Sequence, residues 1–166
     1  MALKRILKHL WFPDWSLRRR FSGPALQRIT AGIAENERGH SGEICFAVEA
    51  SLSLDRLARG QSARARGLEL FSLLRVWDTE HNNGVLIYLM LADRDVEILA
   101  DRGVARLVPP ERWQAICDRM EIEFRAGRFV EGALAGIGEV GAELRTHFAG
   151  EDRHGDELPN EPHLLF

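Results

Sequence analysis

The chain has 166 residues, of which 45% are hydrophobic and 28% are charged, and its formal net charge is −3. This length and apolarity suffice to bury the core of one domain, so global disorder is excluded. The longest apolar run, residues 84–92, is less than half of the roughly 20 residues that a membrane-spanning helix needs, so we expect no transmembrane span.

The charges are distributed unevenly along the chain. Residues 1–40 carry eight Lys/Arg against three acids, whereas residues 151–166 carry five acids against one arginine. We therefore expect residues 150–166 to form a flexible acidic tail. Residues 1–15 lack the apolar stretch and small residues of a secretory signal, which predicts a cytoplasmic protein.

Residues 1–20 predict a basic amphipathic N-terminal segment. Leu3, Ile6, Leu7, Leu10 and Trp11 recur at helical spacing up to Pro13, and cations surround them. One interpretation places this segment against a membrane or a partner; the contact residues would be Lys4, Arg5, Leu7, Lys8, Trp11 and Trp15. The other packs the apolar stripe on the domain's own helices.

The next elements alternate between helix and strand. Ser22 and Pro24 predict the start of a helix that ends near Gly39. Residues 43–50 are apolar on both faces, which is typical of a central strand. Residues 54–76 predict one long helix that crosses the sheet, so that the following strand, 84–92, is parallel to the first.

The last elements predict a hairpin and two helices. Residues 93–95 form a turn between strand 84–92 and a strand at 96–100, and helices follow over 110–127 and 129–148. The four glycines within 129–148 suggest close helix packing; the GxGxxG spacing at 136–141 lies inside this helix, where the amides are engaged. The order of elements predicts an α/β fold with a small mixed sheet between helical layers.

Few motifs point to chemistry. Cys45 and Cys117 are far apart, which excludes a CxxC pair and a cysteine zinc cluster and predicts two buried thiols. Neither a GxSxG elbow nor an HExxH pair is present. A sequence pI of about 6.1 and the lack of a recognition motif argue against nucleic acid as a partner.

One polar loop, residues 78–83, leads directly into the second strand. It offers Asp78, His81, Asn82 and Asn83, and Asp101 with Arg102 follow the hairpin. The first interpretation is an ordinary loop with Asn83 supplying turn geometry. The second is an ion or phosphate site for calcium or magnesium, which prefer oxygen ligands and would need Asp101 or Glu43 to contribute.

Three stretches of the sequence resemble the TPM domain. The resemblance covers about residues 24–149, and we predict a TPM-like domain at residues 21–149. The three stretches are Asn83-Gly84-Val85-Leu86, Asp93-Arg94 with the alternation after it, and residues 124–129 (FRAGRF) followed by Gly132. The family includes thylakoid phosphatase-like and bacterial YgcG-like proteins. The resemblance implies a three-layer α/β/α sandwich and, for some relatives, acid phosphatase activity or calcium binding.

This sequence departs from the family where carboxylates are expected. Relatives often show Gly-x-Gly-x-Glu after the hairpin, whereas this chain has residues 101–105 (DRGVA), then Pro110 where an aspartate opens the next helix. We expect a stand-alone cytoplasmic TPM protein that acts as a binding or assembly module, peripheral to the inner membrane, with LemA- or YgcG-type partners. The alternative is a calcium- or magnesium-assisted acid phosphatase-like hydrolase of small phosphorylated substrates.

Overall fold

The structure, a computed structural model, describes residues 2–150 and 155–166. The helices and strands follow one another in an order close to the predicted one. In order they are α1 (Ala2–Leu10), α2 (Asp14–Arg20), α3 (Gly23–Glu37), β1 (Glu43–Glu49), α4 (Leu54–Ala58), α5 (Ala63–Leu73), β2 (Gly84–Met90), β3 (Asp95–Ala100), α6 (Arg102–Ala105), α7 (Pro110–Arg125), α8 (Phe129–His147) and β4 (His163–Leu165).

Four strands form one mixed sheet in the order β3-β2-β1-β4. Strands β1 and β2 are parallel, with Glu43 opposite Gly84 and Glu49 opposite Met90. Strand β3 returns antiparallel to β2 through the predicted hairpin. Every residue of β1 and β2 is buried, as expected for strands that are apolar on both faces. We call the end where β1 and β2 begin the amino end of the sheet, and the other the carboxyl end.

Helices cover both faces of this sheet. On one face, α2, α3, α7 and α8 pack over the alternate residues Ile44, Phe46 and Val48 of β1. On the other, Cys45 and Ala47 of β1 face residues of α4 and α5. The predicted three-layer α/β/α sandwich is therefore confirmed. Both thiols are buried, and burial raises the pKa of each to about 12.

The glycines of α8 let neighbouring helices approach closely, as predicted. A Cβ added at Gly136 would lie 2.2 Å from Met120 Sδ, and one at Gly132 would lie 2.8 Å from a ring carbon of Phe124, both on α7. Such distances are shorter than van der Waals contact, so a larger residue at either position would force the Met120 or Phe124 side chain to move. Gly138 has nothing within 4 Å and does not contribute to this packing.

Two predicted boundaries are corrected. The single helix expected over 54–76 is divided into α4 and α5. Gly60, with φ +69°, follows α4, and the Ser62 side chain caps α5 by accepting a hydrogen bond of 3.0 Å from the Ala65 N–H. The sequence also did not predict α2, a two-turn helix whose Leu17 is fully buried.

The acidic C-terminal segment is not flexible throughout, which corrects a further expectation. Residues 163–165 form β4, which pairs in parallel with β1, and Leu158 is buried. The apolar residues Leu164 and Leu165 extend the sheet and its two core layers. Residues 151–154 of the predicted tail lie outside the described residues.

One ion pair is buried in the layer between the sheet and α5. Arg66 donates from Nε to Glu49 Oε2 at 2.9 Å and from Nη2 to Glu49 Oε1 at 3.0 Å. The Tyr88 hydroxyl donates to the same Oε2 at 2.6 Å. Burial and the neighbouring Glu49 carboxylate raise the pKa of Tyr88. This network joins β1, β2 and α5.

None of the helices in residues 2–150 and 155–166 has the combined length and apolarity needed to cross a bilayer.

Candidate functional site

The fold brings most of the predicted polar site together at the amino end of the sheet. Because β3 is antiparallel to β2, its last residue lies beside the loop that precedes β2. The Asp101 N–H donates to Gly84 O at 2.9 Å, and Gly103 N–H donates to Asn82 O at 2.9 Å. Arg102 Nε donates to Asn82 Oδ1 at 2.9 Å. Asn82, Asn83, Asp101 and Arg102 are thus neighbours.

Asn83 fastens this loop to the segment before β1. Its side chain is fully buried, and Nδ2 donates to Ser41 O at 2.7 Å. Its backbone N–H donates to Thr79 Oγ1 at 3.0 Å. Asn83 therefore holds the loop through hydrogen bonds, whereas the positive φ of the turn, 52°, is at Asn82. The Oδ1 of Asn83 is buried without a hydrogen-bond partner among the described residues.

Asp101 caps the short helix α6. Its Oδ1 accepts a hydrogen bond of 2.7 Å from the Arg102 N–H, which satisfies one free amide at the helix start. Its Oδ2 is buried and has no partner in the described part of the chain. The capping role needs only one of the two oxygens, so the second is available to a ligand or water.

Asp78 and His81 lie at the surface, as the side chain of Arg102 also does. Asp78 is paired with Arg75, three positions earlier. The structure thus places four of the six predicted residues together and leaves Asp78 and His81 on the solvent side of the loop.

An acidic cluster that the sequence analysis missed lies at the same end of the sheet. Glu37 Oε1 accepts a hydrogen bond of 2.8 Å from Ile44 N–H. Burial and, to a smaller extent, the charges of Glu43 and Asp156 raise the pKa of Glu37 to about 8. The Leu158 N–H donates to Glu43 Oε2 at 3.1 Å. No local pattern linked residues 156–158 to a helix end more than a hundred residues earlier.

His40 lies beside this cluster and stays neutral. Burial, followed by the charge of Arg145, lowers the pKa of His40 to about 4. Its Nδ1 accepts a hydrogen bond of 3.1 Å from Gly42 N–H. The histidine is therefore a buried structural residue.

The N-terminal helix is held against the carboxyl end of the sheet by a polar contact to the hairpin. Arg5 donates to Asp93 Oδ2 from Nε at 2.9 Å and from Nη2 at 2.8 Å. His9 Nε2 lies 3.0 Å from Asp93 Oδ1, and His9 Nδ1 accepts a hydrogen bond of 2.9 Å from Leu52 N–H. Although burial opposes it, Arg5 and His9 hold the pKa of Asp93 below its ordinary value.

The apolar residues of α1 divide between two directions. Ile6 packs on the core, and so does Phe12 after the helix. Leu3, Leu7, Leu10 and Trp11, which we call the exposed stripe, remain accessible; Trp11 is 83% exposed. Of the five apolar residues that were predicted to share one face of this segment, only Ile6 packs on the domain itself. Lys4 and Lys8 are exposed on the same helix, and Trp15 is exposed on α2.

Metal ligands are sparse in this molecule. Within the described ranges 2–150 and 155–166, no group of three or more His, Cys, Asp or Glu side chains could hold a metal ion. At the amino end, Asn83 Oδ1 and Asp101 Oδ2 are among the buried oxygens that have no hydrogen-bond partner in the described part of the chain. Such a set fits magnesium, which keeps several waters and uses one or two carboxylates, better than calcium, which takes six to eight oxygens.

The fold and its two polar ends define a single α/β/α sandwich domain with a mixed sheet and a basic helical extension. The TPM domain family model matches residues 19–143, and the chain belongs to this family.

Solved structures agree with this assignment. The NMR structure of the BA42 protein from Bizionia argentinensis is 26% identical, covers 86% of this chain and 94% of its own, and superposes with a TM-score of 0.75. The N-terminal domain of a protein from P. gingivalis is 23% identical over 78% of this chain and 82% of its own (TM-score 0.60). The N-terminal domain of the cg2496 protein from Corynebacterium glutamicum is 15% identical over 74% and 73% (TM-score 0.54). The last two support the fold alone. A comparison with curated proteins finds no match.

Proposed function

We propose that this TPM-domain protein is a binding module that attaches to an anionic membrane surface through α1 and α2. The observation that carries this proposal is the exposed stripe: four large apolar side chains on one helix face that the domain leaves uncovered. Contiguous exposed apolar surface of this kind is typical of interaction sites.

The charges around the stripe favour a lipid surface. Lys4 and Lys8 lie on α1, and Arg18 and Arg19 are exposed on α2. Each cation near an anionic leaflet contributes about 1 kcal/mol, and an apolar face flanked by cations is the pattern of helices that lie in the membrane interface. Trp11 and Trp15 suit the headgroup level, where tryptophan is enriched.

The contact between α1 and Asp93 keeps the helix formed before it meets a membrane. Arg5 bonds Asp93 through two nitrogens, and His9 is anchored to Leu52 N–H. Isolated helices as short as α1 are marginal in water, so this docking removes an ordering cost that binding would otherwise carry.

Vesicle co-sedimentation tests the proposal. We expect the intact chain to pellet with vesicles that contain phosphatidylglycerol and to stay in solution with purely phosphatidylcholine vesicles. The double change Leu7→Ser with Trp11→Ser should abolish pelleting. The matched control is Leu107→Ser, because Leu107 is 50% exposed against 48% for Leu7 but lies after α6. Equal pelleting of both variants would sink the proposal.

LemA- or YgcG-type partners and a cytoplasmic position peripheral to the inner membrane stay predictions from the resemblance. If a protein rather than lipid covers the exposed stripe, pelleting will not depend on phosphatidylglycerol in the vesicles.

A second candidate function rests on two buried oxygens at the amino end of the sheet. Asn83 Oδ1 and Asp101 Oδ2 are buried without partners among the described residues, and such groups call for water or an ion. A magnesium ion held there would polarise a phosphoryl oxygen and support phosphatase chemistry. In that function Asn83 and Asp101 would hold the ion, and Arg102 would orient an anionic substrate.

A magnesium titration followed by amide NMR, with p-nitrophenyl phosphate turnover measured in parallel, tests this second candidate. If magnesium binds there, the amide signals of Asn83, Gly84 and Asp101 should show saturable chemical-shift changes. Asp101→Asn should lose both these changes and the turnover. That substitution keeps one oxygen able to cap α6, so the fold is expected to survive. Absence of shifts at these amides would rule the candidate out.

A further inference from the structure

A polar cavity opens at the carboxyl end of the sheet, away from the predicted site at the amino end. Its volume is about 140 Å³, and three arginines line it, Arg20 from α2, Arg94 from the hairpin and Arg125 from the end of α7. The remaining wall is largely apolar and includes Phe12, Leu91 and Phe129. Distant parts of the chain therefore bring three cations to one small cavity.

Arg20 is fixed in place. Its Nη1 donates to Ser16 O at 2.9 Å, and its Cζ lies 5.7 Å from the ring centre of Phe12 and 5.1 Å from that of Phe129. A guanidinium held between two aromatic rings loses little further freedom when it binds a ligand.

The other two arginines are also held by their local structure. Arg94 has a positive φ of 56° in the turn between β2 and β3, and Arg125 pairs with Glu121 one turn earlier on α7. The hairpin and the end of α7 thus set where the two side chains emerge.

Among the described residues, two of the three positive charges in this cavity have no ion-pair partner, whereas Arg125 is paired with Glu121. Within the part of the chain that the structure describes, neither Arg20 nor Arg94 forms an ion pair, and Asp93 is engaged by Arg5 and His9. Burial, and then the charges of Arg94 and Arg19, lower the pKa of Arg20. A bound anion would relieve this repulsion.

We propose that this cavity binds a phosphate group, presented either as free phosphate or as a lipid headgroup. Arginine forks match the oxygens of phosphate and carboxylate alike. A phosphomonoester, however, carries about −1.5 to −2 charges and three acceptor oxygens, which three converging guanidinium groups satisfy better than a carboxylate does. The site thus adds a chemically selective contact to the attachment surface proposed above and does not depend on it.

The position of the cavity also suits a headgroup. A neighbouring cavity of about 380 Å³ shares Arg20, Gly127 and Phe129 with it and is lined by Trp15. Trp15 is 62% exposed. A lipid in contact with Trp15 would therefore lie within reach of the arginines.

Titration of the full chain with sodium phosphate at constant ionic strength, followed by amide NMR, tests the site. We expect saturable shifts at Leu91–Arg94 and at Phe124–Phe129. Arg94→Gln and Arg20→Gln should each weaken binding roughly tenfold or more, and Arg106→Gln, an exposed arginine beyond α6, should leave it unchanged. The amide spectrum of each variant reports whether it folds. Linear shifts, an equal loss in Arg106→Gln, or equal saturation by sodium acetate would overturn the proposal.

A second arm identifies the source of the phosphate group. Tighter binding of soluble dihexanoyl phosphatidic acid than of inorganic phosphate, at the same amides, would support a lipid headgroup, and equal binding would support a free phosphate group. The variant Leu7→Ser with Trp11→Ser should retain phosphate binding whether or not it pellets with vesicles. Failure of the phosphate site is in this way distinguished from failure of membrane attachment.

Discussion

The two ends of the sheet use charge in opposite ways. At the amino end, Glu43, Asn83 and Asp101 are buried, and the side chain of each forms a hydrogen bond with a neighbouring segment of the chain. At the carboxyl end, Arg20 and Arg94 line a cavity and form no ion pair among the described residues. Buried polar groups that are already bonded serve the fold, whereas converging charges without partners are better suited to a ligand.

This difference changes where a ligand should be sought. Sequence reasoning selected the amino end, because a polar loop entering a strand is visible in the sequence. The structure shows that Asn82, Asn83 and Asp101 largely hold that loop in place. At the carboxyl end, which the sequence did not indicate as a site, the arginines that line the cavity favour the binding of an anion.

We expect the greatest loss of stability when the buried ion pair between Arg66 and Glu49 is broken. Arg66→Ala would leave Glu49 buried and unpaired, so we expect the free energy of unfolding to fall by about 3–5 kcal/mol, measured by urea denaturation. Arg64→Ala is the control, because Arg64 is paired with Glu97 but is 61% exposed; its loss should stay below about 1 kcal/mol. Equal losses in the two variants would break the distinction.

A smaller effect should appear in the pH dependence of stability. The pKa of Glu37 is raised from an ordinary 4.5 to about 8 in the folded protein. The protonated form therefore favours folding below pH 4.5, and this stabilisation is lost as pH rises towards 8. Glu37→Gln keeps an acceptor for Ile44 N–H and should raise the free energy of unfolding at pH 9 by roughly 1–3 kcal/mol, after a discount for partial exposure.

Thermal unfolding between pH 4 and pH 9 measures this prediction. The control is Glu35→Gln, because Glu35 is an exposed residue of the same helix that pairs with Arg38. Its pH profile should follow the unchanged protein. If the melting temperature of Glu37→Gln fell with pH as steeply as that of the unchanged protein, ionised Glu37 would not destabilise the fold at high pH.

At the carboxyl end we expect only a small change in stability. Arg94→Gln removes an exposed charge without an ion pair among the described residues, so the free energy of unfolding should change by no more than about 0.5 kcal/mol. Urea denaturation measures it beside the phosphate titration. A loss above about 2 kcal/mol would assign Arg94 a structural role and remove the contrast between the two ends.

The fold class and the order of the principal elements could be predicted from the amino-acid sequence. Strands β1 and β2 are apolar on both faces, and the periodicity of α7 and α8 is strong, so local pattern was sufficient to predict a mixed sheet between helices. The motifs at residues 83–86 and 124–129 were sufficient to predict the TPM family. Each of these signals lies within a short stretch of chain.

Features that form where distant segments of the chain meet could not be predicted from the sequence. β4 has three residues and no pattern of its own, and it exists because the edge of β1 offers free hydrogen-bonding groups. The division of the α1 residues between core and solvent depends on the contact of Arg5 and His9 with Asp93. The arginine cavity joins α2, a hairpin turn and the end of α7, and no sequence period relates positions 20, 94 and 125, because the folded sheet alone sets their separation.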